Sequence, residues 1–316
     1  MIRAASLKYQ GQPRSVLVTG GSGFIGKRLV PILLGLHHRV TLLSRNVSRD
    51  AQWFGDAVRL VADLADIEPT ARFDVVINLA GEPLAGQRWT ARRKARFLHS
   101  RLAVTAALCQ LMARLECMPE VLINGSAIGF YGPHGDEPLD EAGAAVASFS
   151  HALCRQWEMA ALEAQALGVR VCLLRIGIVL GAEGGPLVEL RRPFHCGLAM
   201  QIADGRQWMS WIHLDDVIAI ILCCMQDRGL SGPVNTVAPV PVTNAGFATA
   251  LSRHRRTYVR VRVPVWLLRL MVGEMAQEVL VTGQRVIPGK LQGAGFAFLY
   301  PSLPLALEDL VGPPLS

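Results

Sequence analysis

The chain has 316 residues, 51% of them hydrophobic and 18% charged, with a formal net charge of +7, a pI near 9.3 and a mean hydropathy of +0.31. A chain this long and apolar can bury one large core or two modest ones, which excludes disorder as its working state. No apolar stretch approaches the roughly 20 residues of a spanning helix, so a soluble, cytoplasmic protein with no membrane partner is expected.

The start, MIRAASLKYQGQPR, has no apolar h-region, and residues 1–13 read as a loose extension. Strand-like apolar runs follow at Ser15 to Thr19, Val40 to Ser44, Arg59 to Ala62, Val75 to Ala80, Val121 to Gly125 and Val169 to Ile176. Each is nearly all apolar, as a strand covered by helices on both faces requires, and helical patterns alternate with them. Arg92 to Arg114 places Leu98, Leu102, Ala106, Cys109 and Met112 on one face, with Arg93, Arg96 and Arg101 expected at the surface. After about Gly177 the rhythm weakens and Gly and Pro cluster, so a second lobe is expected there. It holds a short helix at Val265 to Val272 and a final segment at Leu303 to Val311.

The strongest local signal is VLVTGGSGFIGKRLV, an apolar strand running into Gly20, Gly23 and Gly26 and then into a helix. Glycines there permit a tight turn and close approach to a pyrophosphate, and free N–H groups at the helix start face the anion. At the end of the second strand, where a NAD site places an acidic residue, the chain has Ser44, Arg45 and Asn46. A guanidinium there pairs with a 2′-phosphate, so NADP(H) is the expected cofactor.

These residues, with Asp63-Leu64, Asn78-Leu79-Ala80-Gly81 and Ser126, resemble an extended short-chain dehydrogenase/reductase. More narrowly, NLAGEPLAGQRWT, NGSAIGFYG, LLRIGIVLG, WIHLDDV and GQRVIPGKLQGAGFAF resemble the epimerase-family proteins of the NAD-dependent epimerase/dehydratase group. The resemblance implies an α/β fold: a Rossmann-type doubly wound parallel sheet over 14–240 and a small C-terminal substrate lobe over 241–316, with 181–206 contributing to the substrate side. It also implies that Gly20, Ser22, Gly23, Phe24, Ile25 and Gly26 hold the pyrophosphate. Ser44 and Arg45 would lie at the adenosine end, Asp63 and Leu64 by the adenine, and Leu79, Ala80, Gly81 and Glu82 under or beside the cofactor. Ser126, Arg175, Gly177 and Val179 would flank the nicotinamide. Asp63 reads equally as a helix N-cap ahead of Leu64.

Such enzymes use Tyr-x-x-x-Lys, because a phenol of pKa about 10 needs a nearby cation to act near neutrality. No Tyr-x-x-x-Lys exists in this chain, and the family's spacing puts Ser150 and Cys154 at the two positions. Three readings follow. In the first, the protein is an NADP(H)-dependent oxidoreductase or epimerase/dehydratase with rearranged acid/base groups, Ser126 and Tyr131 being candidates and Glu82 or Arg88 polar support; Tyr131 reads equally as packing beneath the cofactor. In the second, it is a catalytically weak or inactive NADP(H)-binding regulatory protein, a role that some relatives connect with cell division. In the third it is a scaffold with a vestigial site.

Glu82, Arg88 and Trp89 lie after a strand's carboxyl end and suit either ligand contact or loop packing. His213 with Asp215 and Asp216 suggests a metal less than an N-cap at Asp215 for the apolar helix Val217 to Met225. Ser126, His151 and Asp140 lack the G-x-S-x-G elbow of a hydrolase. The seven cysteines show no metal spacing. The arginine-rich runs Arg88 to Arg101 and Arg253 to Arg262 read as solvated faces, so nucleic acid is not an expected partner. A small-molecule substrate is expected, anionic if Arg88, Arg101 and Arg206 converge. A homodimer through helices Arg92 to Arg114 and Ser148 to Leu167 is what the resemblance implies.

Overall fold

The structure, a computed structural model, describes residues 9, 11–84, 88–255 and 257–314. Seven strands form a fully parallel sheet: β1 Ser15–Thr19, β2 Arg39–Leu43, β3 Val58–Val61, β4 Val75–Asn78, β5 Val121–Ala127, β6 Arg170–Ile176 and β7 Gly232–Thr236. Their order is β7-β6-β5-β4-β1-β2-β3, so the winding reverses between β1 and β4, which pair Val16 with Val75 through to Thr19 with Asn78. Ligands of such sheets bind outside the carboxyl ends of the strands at that reversal.

The continuous apolar runs have a two-period logic, because successive residues of a strand face opposite layers. Val16, Val18, Ile77, Ile123 and Leu174 pack with Leu29, Leu33, Ile218 and Ile221 from helices α1 (Gly26–Gly35) and α6 (Leu214–Gln226). Leu17, Val76, Leu122 and Leu173 pack instead with Leu108, Met112 and Ala161 from helices α3 (Ala91–Arg114) and α4 (Phe149–Leu162). Thr90 caps α3 by accepting from Arg93 N, and Ser148 caps α4 by accepting from His151 N.

A separate core joins Leu180, Leu187, Phe194, Ala199 and Trp211 to Phe247, Leu251, Leu303 and Leu307. Residues 180–211 thus share this core with the helices Asn244–Ser252 and Leu303–Val311. Between these helices the chain returns to the sheet, where Leu291 shares the core of Val234. Most of the N-terminal extension lies outside the described residues; Tyr9 packs edge-on against His38 at 5.1 Å.

Two expectations are corrected. Arg101, expected on the surface, is 8% exposed: its guanidinium donates to the carbonyls of Phe97 and Glu82, 3.0 and 3.1 Å away, and stacks over Trp157. Polar heads can turn inward where backbone acceptors await them, and periodicity does not see this. The N-cap of α6 is His213, whose Nδ1 accepts from Asp215 N at 3.0 Å, while Asp215 accepts twice from Arg28 on α1.

Candidate functional site

The site begins where β1 ends. Gly20 has φ +72°, and a Cβ there would lie 2.5 Å from the carbonyl oxygen of Leu79, so only glycine lets the ends of β1 and β4 meet this closely. A Cβ on Gly26 would stand 2.4 Å from Gly20 O, which is why the helix can start directly beneath the loop. Gly23 N closes the turn on Gly20 O at 2.9 Å. No side chain caps α1 and no acidic residue stands in its first turn, so its positive end is open for an anion. Phe24, next in the loop, is walled by Gly181, Gly184 and Gly185, each of which leaves room for its ring.

At the end of β2, Arg45 is exposed. Ser44 is buried and turned inward, donating to Asp50 Oδ2 at 2.6 Å. Helix α2 (Val47–Phe54), capped by Asn46, carries Arg49, whose guanidinium reaches both Asp50 Oδ1 at 3.0 Å and Ser22 Oγ at 3.3 Å. Burial alone would raise the Asp50 carboxyl, but hydrogen bonds from Ser44 and Arg49 outweigh it and hold the group below the ordinary carboxylate range. Folding therefore brings a carboxylate to Ser44 that the run 44–46 lacks, and neutralises it with Arg49. Arg49 is the residue that sequence reasoning missed; its position one turn into α2 was the available signal. Beyond the next strand, Asp63 caps a short 3-10 turn by accepting from Ala65 N at 2.9 Å, and Leu64 is buried.

Under the loop, Thr19 donates to Asn78 Oδ1 at 2.6 Å, and Asn78 donates to Thr105 and Asn124 at 2.9 and 2.6 Å. This buried chain fixes the ends of β1, β4 and β5, with Leu79, Ala80 and Gly81 at the rim beside it. Glu82 pairs with Arg96 at 3.0 Å. Trp89 is a core residue, donating to Leu84 O and packing edge-on against Phe97 and Phe149.

Ser126, at the end of β5, donates to Glu158 Oε1 at 2.6 Å. Arg175 grips both oxygens of Glu158 at 2.9 and 3.0 Å, donates to Tyr131 Oη at 3.1 Å and lies 3.4 Å over the Phe130 ring. Tyr131 is fully buried, its hydroxyl also within 2.6 Å of Asn235 Oδ1; burial raises its pKa despite the nearby Arg175. Arg175 thus acts beneath the site, through Glu158. Gly177 donates to Thr236 O, and a Cβ on it would meet Ser210 O at 2.3 Å; Val179 is buried.

Ser150 and Cys154 lie on α4 against Gly129. Burial pushes the Cys154 thiol up to about 12, so it offers neither a thiolate nor a cation. Ser150 donates to Glu278 Oε2 at 2.6 Å, and the same carboxylate accepts from Phe149 N and Ser150 N, both at 2.9 Å. Glu278 comes from the C-terminal lobe and borders a cavity of about 260 Å³ with Ser148, Ser150, Gln277, Thr282 and Gln284. The arginines considered for an anionic ligand go to separate partners: Arg101 to backbone carbonyls, Arg206 towards Asp204 at 3.9 Å, and Arg88 beside Gly273.

Residues 16–237 match the NAD dependent epimerase/dehydratase family, and residues 263–310 match DUF1731, a domain of unknown function. The chain is 37% identical over 296 residues to an epimerase family protein of Mycobacterium leprae, covering 93% of this chain and 94% of that one. It is 35% identical over 299 residues to one from Staphylococcus aureus, covering 94% and 99%. Among solved structures it resembles the human epimerase family protein SDR39U1 (isoform 2) with NADPH, with a TM-score of 0.84, 29% identity and coverage of 94% and 99%. The UDP-glucuronic acid 4-epimerase of Bacillus cereus in complex with NAD, at a TM-score of 0.71, 16% identity and coverage of 94% and 98%, shares the fold.

Proposed function

The chain belongs to the NAD dependent epimerase/dehydratase family, and from that membership we propose that it binds NADP(H) and supports an oxidoreductase or epimerase/dehydratase-like reaction without a Tyr-x-x-x-Lys pair. The loop Gly20 to Gly26 would hold the pyrophosphate, and Arg45, Arg49 and Ser22 would meet the 2′-phosphate. The observation that carries the cofactor reading is the junction of Arg49 with Ser22 and Asp50 beside exposed Arg45. It gathers positive charge where an NAD site presents a bare carboxylate. The NADPH bound by the human relative supports the same choice.

The residues present fit a dinucleotide: a cradle that a Cβ at Gly20 or Gly26 would fill, and an uncapped helix start behind it. When bound, the nicotinamide supplies a hydride donor or acceptor. The chain's own contribution is to fix Ser126 through Glu158 and Ser150 through Glu278, so both oxygens present lone pairs to a ligand.

That same geometry favours a second reading, a catalytically weak or inactive NADP(H)-binding regulator, because the hydroxyls of Ser126, Tyr131 and Ser150 all have internal partners. NADPH consumption with a panel of carbonyl compounds and nucleotide sugars separates the two. Turnover that falls in Ser126→Ala and Ser150→Ala with unchanged NADPH affinity supports the enzyme. No turnover, together with NADPH-dependent protection from proteolysis, supports the regulator. Failure to bind either nicotinamide dinucleotide overturns both.

A further inference from the structure

The amino ends of β1, β2 and β3 break the apolar rule of the sheet. Ser15 pairs with Arg39, Leu17 with Thr41, and Thr41 with Arg59. Alternate residues of a strand share a face, so Ser15, Arg39, Thr41 and Arg59 all lie on the face that carries Leu17. Elsewhere that face is apolar and packs with residues of α3 and α4. Here it is polar, and with His38 ahead of β2 and Arg72 from the connection between β3 and β4 it lines an open cavity of about 510 Å³.

The cavity is rich in hydrogen-bond donors that the fold leaves unused. Among the described residues, the guanidiniums of Arg39, Arg59 and Arg72 and the hydroxyl of Thr41 meet no hydrogen-bond or ion-pair partner. His38 adds a buried donor. It is 3% exposed, its Nδ1 accepts from Arg14 N at 2.9 Å, and burial, with the charge of Arg14, holds the ring below its ordinary pKa. A neutral ring that accepts at Nδ1 carries its proton on Nε2, and Nε2 is buried with no partner among the described residues. An acceptor entering the cavity would satisfy it. No aspartate or glutamate lines the cavity, and Asp74, beside it, turns Oδ2 to Ser15 N at 2.7 Å.

We infer that this cavity binds the diphosphate group of a small molecule, with Arg39, Arg59 and Arg72 as its three cationic contacts. A guanidinium presents paired donors that match phosphate oxygens, so three of them with Thr41 suit a group of several charged oxygens better than a single carboxylate. The cavity is also larger than a lone phosphate, which leaves room for the moiety that carries the diphosphate. It lies at the opposite ends of the strands from the loop Gly20 to Gly26, so the inference goes beyond the cofactor reading and does not depend on it.

Calorimetric titration of the full chain with inorganic pyrophosphate tests it, run with and without saturating NADPH, with malonate as the control for charge without phosphate. Saturable pyrophosphate binding that persists in NADPH is expected, at least tenfold tighter than malonate. Arg39→Gln and Arg59→Gln should each weaken it at least fivefold, with the thermal transition and the response to NADPH close to wild type. Should either fail to fold, Arg72→Gln removes the third contact and should weaken it likewise. Arg260→Gln, at an exposed arginine outside the cavity, should leave it unchanged. No saturable pyrophosphate binding, malonate binding as tightly, an affinity unmoved in the folded variants, or an equal loss in Arg260→Gln each overturns the inference. So does complete displacement of pyrophosphate by NADPH, which assigns it to the glycine loop instead.

Discussion

Arg175→Met keeps an apolar stem against Phe130 and removes the guanidinium, which isolates the contribution of the buried pair beneath Ser126. Arg175 and Glu158 are 3% and 5% exposed, and the guanidinium makes two bonds to Glu158, one to Tyr131 and one to Glu141 O. After the substitution the carboxylate keeps, among the described residues, only Ser126 as a donor. Breaking a buried pair from one side leaves an uncompensated charge and destabilises by about 3–5 kcal/mol, whereas replacing both partners with apolar groups is often near neutral. The stability of Arg175→Met should therefore drop by that amount, and the double variant Arg175→Met/Glu158→Leu should recover most of it. Equilibrium urea unfolding at neutral pH, followed by tryptophan fluorescence, gives the three free energies of the cycle. A loss under about 1 kcal/mol in the single variant, or a double variant no more stable than the single, contradicts the view of Arg175 as a positioning residue whose role is to hold Glu158.

Other substitutions probe other parts of the site. Gly20→Ala forces a side chain into a left-handed conformation and against Leu79 O; it should destabilise by more than about 1–2 kcal/mol and weaken NADPH binding, and a melting curve and titration matching wild type would refute this. Burial pushes the Asp216 carboxyl from 3.8 up to about 6, although Leu299 N and Tyr300 N donate to it. Its folded value lies above its unfolded one, so its stabilisation is complete below pH 3.8 and disappears as pH rises through about 6. At about 1.4 kcal/mol per pH unit this is about 3 kcal/mol. Asp216→Asn should flatten that part of the stability–pH curve, and coincident slopes would exclude Asp216 as the cause. Iodoacetamide on the native protein should label exposed Cys117 and Cys196 and spare buried Cys154; mass spectrometry finding Cys154 modified as fast as Cys117 contradicts its burial.

The central sheet was legible because strands covered on both faces are apolar throughout, and the observed β1 has the bounds the sequence gives. The glycine loop was legible for a similar reason, since its requirement is local: backbone conformation and approach within a few residues. The amide and carboxylate partners were not. Arg101 looks like any surface arginine until the carbonyls of Phe97 and Glu82 surround it. His213 displaced Asp215 as a cap through a ring nitrogen, which residue preferences at caps do not anticipate. Glu278 reaches Ser150 across 128 residues of chain, a contact set by how the C-terminal lobe returns to α4. The missing Tyr-x-x-x-Lys was visible in the sequence; the carboxylates that hold the hydroxyls of Ser126 and Ser150 were not.

The account stands most directly on cofactor choice. Protein stripped of nucleotide is titrated with NADPH and NADH by fluorescence, and again as Arg45→Ala and Arg49→Ala. Each guanidinium that meets the 2′-phosphate should be worth about 1.5–3 kcal/mol, roughly tenfold to a hundredfold in NADPH affinity, with NADH binding little changed. Equal affinity for the two nucleotides in wild type, or an NADPH preference that survives both substitutions, contradicts it.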